Sequence, residues 1–257
     1  VADITAPVAM HLEHHLYYPG DTVQVKGSVW MELLNQVDSL NIVKVEIKDS
    51  AGNVIAREDA TVNKNDGSYS TSLRLLDNAG KGAYNAEARV ELEADALGIV
   101  KTITSAGLQS SMQFAVAAPV EYDVEVESEE FKVTVASNSG INDFQFKQHE
   151  KRVSFFVEGS SGTGGVTEIS IPKRLLSGEM SVFMDQSLVA NDNVILKSET
   201  ETKTTFEINY SHSIHRMEVV GTNAVPEFPL AAIGAISAAV GVLILIGRLR
   251  MFSLLTK

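Results

Sequence analysis

The side chains best suited to metal chemistry stand near the amino terminus, where His11, Glu13, His14 and His15 gather three imidazoles and a carboxylate within five residues. Imidazole nitrogen is a ligand for copper and zinc. On a strand His11 and His15 share a face while His14 points the other way; on a helix His11 and His15 lie one turn apart. The spacing is not His-Glu-x-x-His, so no metalloprotease is implied. The competing reading is a solvated or partner-facing strand.

Other candidates are weaker in their chemistry. His212 and His215 are three apart on what reads as a final strand and so face opposite sides. Ser160-Ser161-Gly162-Thr163-Gly164-Gly165 lacks the Lys-Ser/Thr of a phosphate loop and reads as a mobile hairpin loop. No Gly-x-Ser-x-Gly elbow accompanies the serines near His212. Asn191-Asp192-Asn193 and residues 63–66 come nearest to a calcium loop without its full pattern. Glu121, Asp123, Glu125 and Glu127 alternate along a strand and are read as solvated. Asn209-Tyr210-Ser211 is a glycosylation sequon, usable where Asn209 faces water. The expectation is therefore a protein that is not an enzyme, with no catalytic residues and no resident cofactor, copper or zinc at His11, His14 and His15 being the alternative.

The elements that position these residues follow from composition and period. The chain has 257 residues, 44% hydrophobic and 21% charged, enough for about two domains and too apolar for disorder. Its formal charge of −12 opposes nucleic acid as a partner. With no Cys, disulfide frameworks, cysteine-ligated zinc and thiol nucleophiles are excluded. Period-two alternation dominates: Val23, Val25, Gly27 and Val29; Val43, Val45 and Ile47; Tyr69, Thr71, Leu73 and Leu75; Tyr84, Ala86, Ala88, Val90 and Leu92; Met112, Phe114 and Val116. Asn65-Asp66-Gly67 reads as a hairpin turn. These strands predict a sandwich of about seven strands ending at Ala117-Ala118-Pro119. A second sandwich is built from Tyr122, Val124 and Val126; Phe131, Val133 and Val135; Val153, Phe155 and Val157; Phe206, Ile208 and Tyr210; Met217 and Val219. Within it a strand ends at Pro172, and a short helical turn is closed by Gly178.

Residues 230–247 form an uncharged run of 18 residues, read as one transmembrane helix of about 27 Å. Arg248 and Arg250 follow it, and all 33 acidic residues precede it, so the positive-inside rule places the C-terminus in the cytoplasm and the rest outside. The start, Val1-Ala2-Asp3, is that expected after signal-peptide cleavage. Gly234, Ala238 and Gly241 give the helix a flat side against which a second helix can pack. The predicted class is all-β: two tandem Ig-like β-sandwich domains followed by a single C-terminal transmembrane helix. The predicted divisions are 1–118 and 119–221 for the sandwiches, 222–229 for a stalk, 230–247 for the helix and 248–257 for a basic tail.

Tyr18-Pro19-Gly20-Asp21-Thr22-Val23-Gln24-Val25-Lys26-Gly27 resembles the first strands of macroglobulin-type and other immunoglobulin-like domains. Ile169-Ser170-Ile171-Pro172-Lys173, Leu175-Leu176-Ser177-Gly178, Met217-Glu218-Val219-Val220-Gly221-Thr222 and Val225-Pro226-Glu227-Phe228-Pro229 precede the apolar run. This region is similar to archaeal secreted proteins with a Pro-Glu-Phe sorting or anchoring tail, as in ammonia-oxidising archaea, and departs from them at Pro229, where a Gly is common. The resemblance implies an exported, cell-surface β-sandwich protein in the cell membrane, a surface interaction or scaffold module whose partners are membrane lipid and other membrane or cell-surface proteins. Two alternatives remain. One is an accessory subunit of a multi-subunit archaeal membrane enzyme complex, such as a copper-dependent ammonia monooxygenase, packed through its helix. The other is a metal-handling protein using the His cluster.

Overall fold

A computed structural model of the protein describes residues 7–31, 42–90, 92–96, 99–103 and 108–225. The alternation seen in the sequence becomes β1 (Val8–Leu12), β2 (Leu16–Tyr17), β3 (Thr22–Val29), β4 (Ile42–Lys48), β5 (Val54–Thr61), β6 (Ser68–Arg74), β7 (Gly82–Val90), β8 (Leu92–Ala96), β9 (Ile99–Ile103) and β10 (Gln109–Val116). A three-stranded sheet, β1-β3-β6, faces a five-stranded one, β2-β10-β7-β4-β5. Residues of one parity turn inward from both sheets, so Val23, Val25, Val43, Val45, Ile47, Leu73, Ala86 and Ala88 share one core. The short β2 pairs parallel to β10 at the sheet edge. Leu92 does not extend β7; it opens a separate hairpin of β8 and β9.

The second half forms β11 (Val120–Val126), β12 (Glu129–Ser137), β13 (Gly140–Lys147), β14 (Arg152–Glu158), β15 (Gly164–Pro172), β16 (Leu176–Met184), β17 (Ser187–Leu188), β18 (Val194–Glu199), β19 (Lys203–Ser211) and β20 (Ile214–Ala224). Two five-stranded sheets, β11-β12-β15-β19-β18 and β13-β14-β20-β16-β17, enclose Phe131, Val133, Phe155, Ile169, Ile171, Ile208, Met217 and Val219. No sheet joins strands from the two halves among the described residues. β20 continues through Ala224, which pairs with Leu176, so residues 222–224 belong to a sheet.

Several local expectations change. Asn65-Asp66-Gly67 is a tight reversal, with Gly67 at φ +74° and its N–H donating to the Asn63 carbonyl at 2.8 Å, but it is not a hairpin. β5 and β6 lie in opposite sheets, because turn chemistry fixes only a chain reversal and Val62 and Tyr69 both enter the core on the way across. The Ser160–Gly165 segment is likewise a crossing between β14 and β15, and Ser211 to Ser213 another between β19 and β20, so His212 and His215 are not on one strand. Gly178 closes no helical turn. A simple turn, with Leu175 N–H donating to the Pro172 carbonyl at 2.9 Å, leads into β16, and Gly178 sits at φ +85° where the β16–β20 register shifts. The apolar run 230–247 with Gly234, Ala238 and Gly241, and Arg248 and Arg250 after it, lie outside the described residues. Among the described residues no helix is long and apolar enough to cross a membrane.

One glycine is required for packing. A Cβ on Gly27 would stand 2.2 Å from the Ala9 carbonyl oxygen and 2.3 Å from the Tyr69 ring, whose hydroxyl donates to that carbonyl at 2.8 Å. Gly27→Ala is expected to force β1 and Tyr69 apart and to lower stability by about 1–3 kcal/mol, read as an earlier urea midpoint for the first sandwich.

Candidate functional site

The outer face of the β11-β12-β15-β19-β18 sheet carries two glutamates in direct register. Glu168 of β15 stands opposite Glu207 of β19, a cross-strand pairing that repels when both are ionised. Both are nearly sealed from water, at 7% and 1% exposure. Burial of this kind requires compensating charge and hydrogen bonds, and the fold provides them from both halves of the chain.

From the same sheet comes Lys197. The β18–β19 register skips it, Leu196 pairing with Phe206 and Ser198 with Thr205, so Lys197 is the extra residue of a bulge. The bulge turns its side chain onto the glutamates, with Nζ 2.6 Å from Glu168 Oε2 and 4.0 Å from Glu207 Oε2. From the first sandwich comes the loop around β2. The His15 Nδ1–H donates to Glu207 Oε1 at 2.9 Å, and the Tyr18 hydroxyl donates to Glu168 Oε1. Tyr18 is set by Asp21, whose Oδ2 accepts from the Tyr18 N–H at 2.8 Å. Around these bonds Leu16, Ala115 and Ala117 pack on Ala136 and Val166, the three alanines letting the two sandwiches approach closely.

Electrostatics agree with this clasp. The hydrogen bond to Glu207 raises the His15 imidazole above 6.5 against the opposing effect of burial, with the Glu207 charge adding to it. Burial pushes the Glu207 carboxyl up, yet the bond and charge of His15 and the charge of Lys197 outweigh it and hold Glu207 below 4.5. Burial first, and the bond to Glu168 second, push the Tyr18 phenol far above 10.

A second contact lies at the end of the seam. Lys81 Nζ donates to the Ser139 carbonyl at 2.5 Å, reaching from the β6–β7 connection to the turn after β12. Between the contacts is a cleft of about 350 Å³ walled by His15, Gln113, Phe114, Asn138, the Gly162–Gly165 segment, Asn209 and Tyr210.

The sequence candidates are dispersed. His11 is exposed on β1 opposite Lys26, His14 stacks obliquely on Tyr17 at 5.8 Å, and only His15 reaches the seam. Among the described residues no three His, Asp, Glu or Cys side chains group as cation ligands. Asn209 is half-buried on the cleft wall. Glu121, Asp123, Glu125 and Glu127 are exposed. Sequence reasoning missed Glu168, Glu207 and Lys197, for their positions in alternating strands are those of ordinary solvent-facing residues.

Lys197→Met is expected to leave two facing carboxylates without their cation and to destabilise the chain by about 3 kcal/mol in urea unfolding, with Glu168→Gln added to it restoring part of the loss. The His15 contribution is present in full below pH 6.5 and is lost as pH rises through its raised value. The unfolding temperature should therefore fall between pH 6.5 and 8.5, and this fall should be smaller in His15→Gln.

Residues 8–116 match the family model described as the MG2 domain. No curated protein matches the sequence. Among solved structures, trypsin-activated alpha-2-macroglobulin from Escherichia coli is 14% identical with a TM-score of 0.30, covering 85% of this chain and 13% of that one. Salmonella alpha-2-macroglobulin reacted with methylamine is 15% identical with a TM-score of 0.29, covering 84% and 12%. The chain thus spans only about an eighth of the length of these proteins. The segment from Tyr18 to Gly27 falls inside the family match, so the first sandwich, residues 8–116, is similar to macroglobulin-like β domains of the MG2 type.

Proposed function

We propose that the protein is a non-enzymatic β-sandwich module, anchored in the cell membrane by residues 230–247, that holds an interaction or scaffold surface outside the cell. The observation that carries this reading is the seam. His15, Tyr18, Lys197, Glu168 and Glu207 spend their polar groups on one another and fix one sandwich on the next. A scaffold needs a defined spacing between its surface and its tether, and a polar, register-specific seam provides it. The MG2 match over the first sandwich supports the same reading.

The chemistry of the interior supports it as well. Ser139 Oγ lies 2.9 Å from His212 Nε2, a pair that elsewhere could activate a nucleophile. Here Ser139 is 1% exposed and its oxygen is shared with Tyr210 at 2.7 Å, so no substrate carbon can reach it. The partners in this reading are membrane lipid at the tail and other surface or membrane proteins at the sandwiches. The −12 charge of the chain opposes adhesion to anionic surfaces.

Protease added to intact cells should remove the sandwiches and leave a membrane-bound fragment ending in the basic tail. Protection of the sandwiches would overturn the exported arrangement. Purification in mild detergent should then bring down a fixed set of surface proteins that are lost when the sandwiches are shaved. Partners retained by the stripped tail would instead favour packing through Gly234, Ala238 and Gly241.

A further inference from the structure

His212 occupies the crossing between β19 and β20 and is 8% exposed. It is held on every side. The Gly159 backbone lies so close that a Cβ there would stand 2.3 Å from the ring. Its backbone N–H donates to the Thr163 carbonyl at 2.9 Å. Its Nδ1 is 2.5 Å from Thr163 Oγ1 and its Nε2 is 2.9 Å from Ser139 Oγ.

The proton positions in this cluster follow from counting donors, since each hydroxyl has one. Thr163 gives its proton to the Ser160 carbonyl at 2.7 Å and must accept from the ring, so His212 carries hydrogen on Nδ1. Nε2 of the neutral ring then accepts from Ser139, Ser139 accepts from Tyr210 at 2.7 Å, and Tyr210 accepts from Thr167 at 2.8 Å. Ser137, whose own proton goes to the Val166 carbonyl at 3.1 Å, stands 2.8 Å from Thr167. If Nε2 gains a proton, the three bonds of this chain reverse and a fourth forms: His212 donates to Ser139, Ser139 to Tyr210, Tyr210 to Thr167, and Thr167 to Ser137, while the Nδ1–H bond to Thr163 is kept. No polar group is orphaned in either direction, so the cluster accommodates the proton.

The neighbour that cannot accommodate it is Lys81. Its ammonium donates to the carbonyl of the same Ser139, and burial lowers its own tendency to stay charged. Of the groups facing His212, Lys81 from the first sandwich bears the charge. Tyr210 of β19 supplies a neutral phenol. The segment from Gly159 to Thr163 brings backbone and a hydroxyl, Glu158 before it is exposed, and His215 beyond the Tyr210 ring is bonded to Asp185 at 2.6 Å. A second cation beside Lys81 therefore meets no carboxylate among the bonds described.

We propose that His212 is an acid-operated release: its protonation expels Lys81 from Ser139 and lets the sandwiches pivot open at this end about the Glu168–Glu207 clasp. Burial, and then the charge of Lys81, hold the ring below 6.5, so the neutral, latched form is complete above pH 6.5 and is lost as pH falls through the lowered value. Glu207, held below 4.5, is still ionised at pH 5, which keeps the other end closed. The proposal stands whether or not the chain is tethered to a membrane.

The absence of Cys makes site-specific spin labelling direct. Labels on Asn78→Cys and Glu158→Cys, both exposed, would report the distance across the latch in the full chain by pulsed electron resonance. One narrow distance is expected at pH 8, and a longer population that grows as the pH falls to 5. His212→Gln, which hydrogen-bonds without titrating, should keep the short distance throughout. An unchanged distribution from pH 8 to 5, or the same transition in His212→Gln, would overturn the proposal. Should that variant fail to fold, Lys81→Met, which has no donor for the Ser139 carbonyl, decides: the longer population must already be present at pH 8, and a short distance there would equally overturn it.

Discussion

Two carboxylates placed opposite each other on neighbouring strands, Glu168 and Glu207, dictate how the protein is assembled. Left on an open sheet they would be hydrated and merely repulsive. Covered by the first sandwich, each must find a donor, and among the described residues the second sandwich supplies only Lys197, which lies nearer to Glu168. The remaining donors, His15 and Tyr18, come from the other half of the chain, one for each glutamate. Docking in any other register would leave a buried carboxylate without a partner, at a cost of several kcal/mol. The relative placement of the sandwiches is therefore set by these bonds more than by the five apolar side chains packed around them.

Within each sandwich the sequence was highly legible. Period-two alternation at Val23 to Val29, Val43 to Ile47 and Tyr84 to Val90 identifies buried faces, because a strand packed on one side must alternate. What alternation leaves open is the partner of each strand. Asn65-Asp66-Gly67 looks the same whether the strands it joins pair or separate into opposite sheets, since Gly67 needs its positive φ in both cases. The same holds for the glycines near residue 162, which serve a crossing. Pairing is decided by which faces must meet across the core, and that is a property of the whole set of strands.

The seam was not legible, for a related reason. Glu121 and Glu125 on β11 and Glu207 on β19 occupy equivalent alternate positions, yet the first two are exposed and the third is sealed. Their difference is imposed by another part of the chain, nearly two hundred residues away in the case of His15 and Glu207. Lys197 was equally hidden. Its role depends on a one-residue bulge, which no pattern in Val194–Glu199 announces. Of the His cluster singled out at the amino terminus, the residue that reaches the seam does so through a carboxylate rather than through a neighbouring histidine.

A polar seam also has a consequence for reversibility. Apolar side chains at these positions would hold the sandwiches together more firmly, but would tolerate sliding and would expose an adhesive face whenever they parted. The observed groups behave differently. When separated, Glu168, Glu207, Lys197, His15 and Tyr18 are all readily hydrated, and only a small patch from Leu16, Ala115, Ala117, Ala136 and Val166 becomes exposed. When docked, their hydrogen bonds admit one geometry. The Ser139 carbonyl and Lys81 repeat the arrangement at the far end, with a single directional bond in place of an apolar contact. Two such contacts, each specific and each soluble when broken, join the sandwiches in a unique orientation that can still open without unfolding either core.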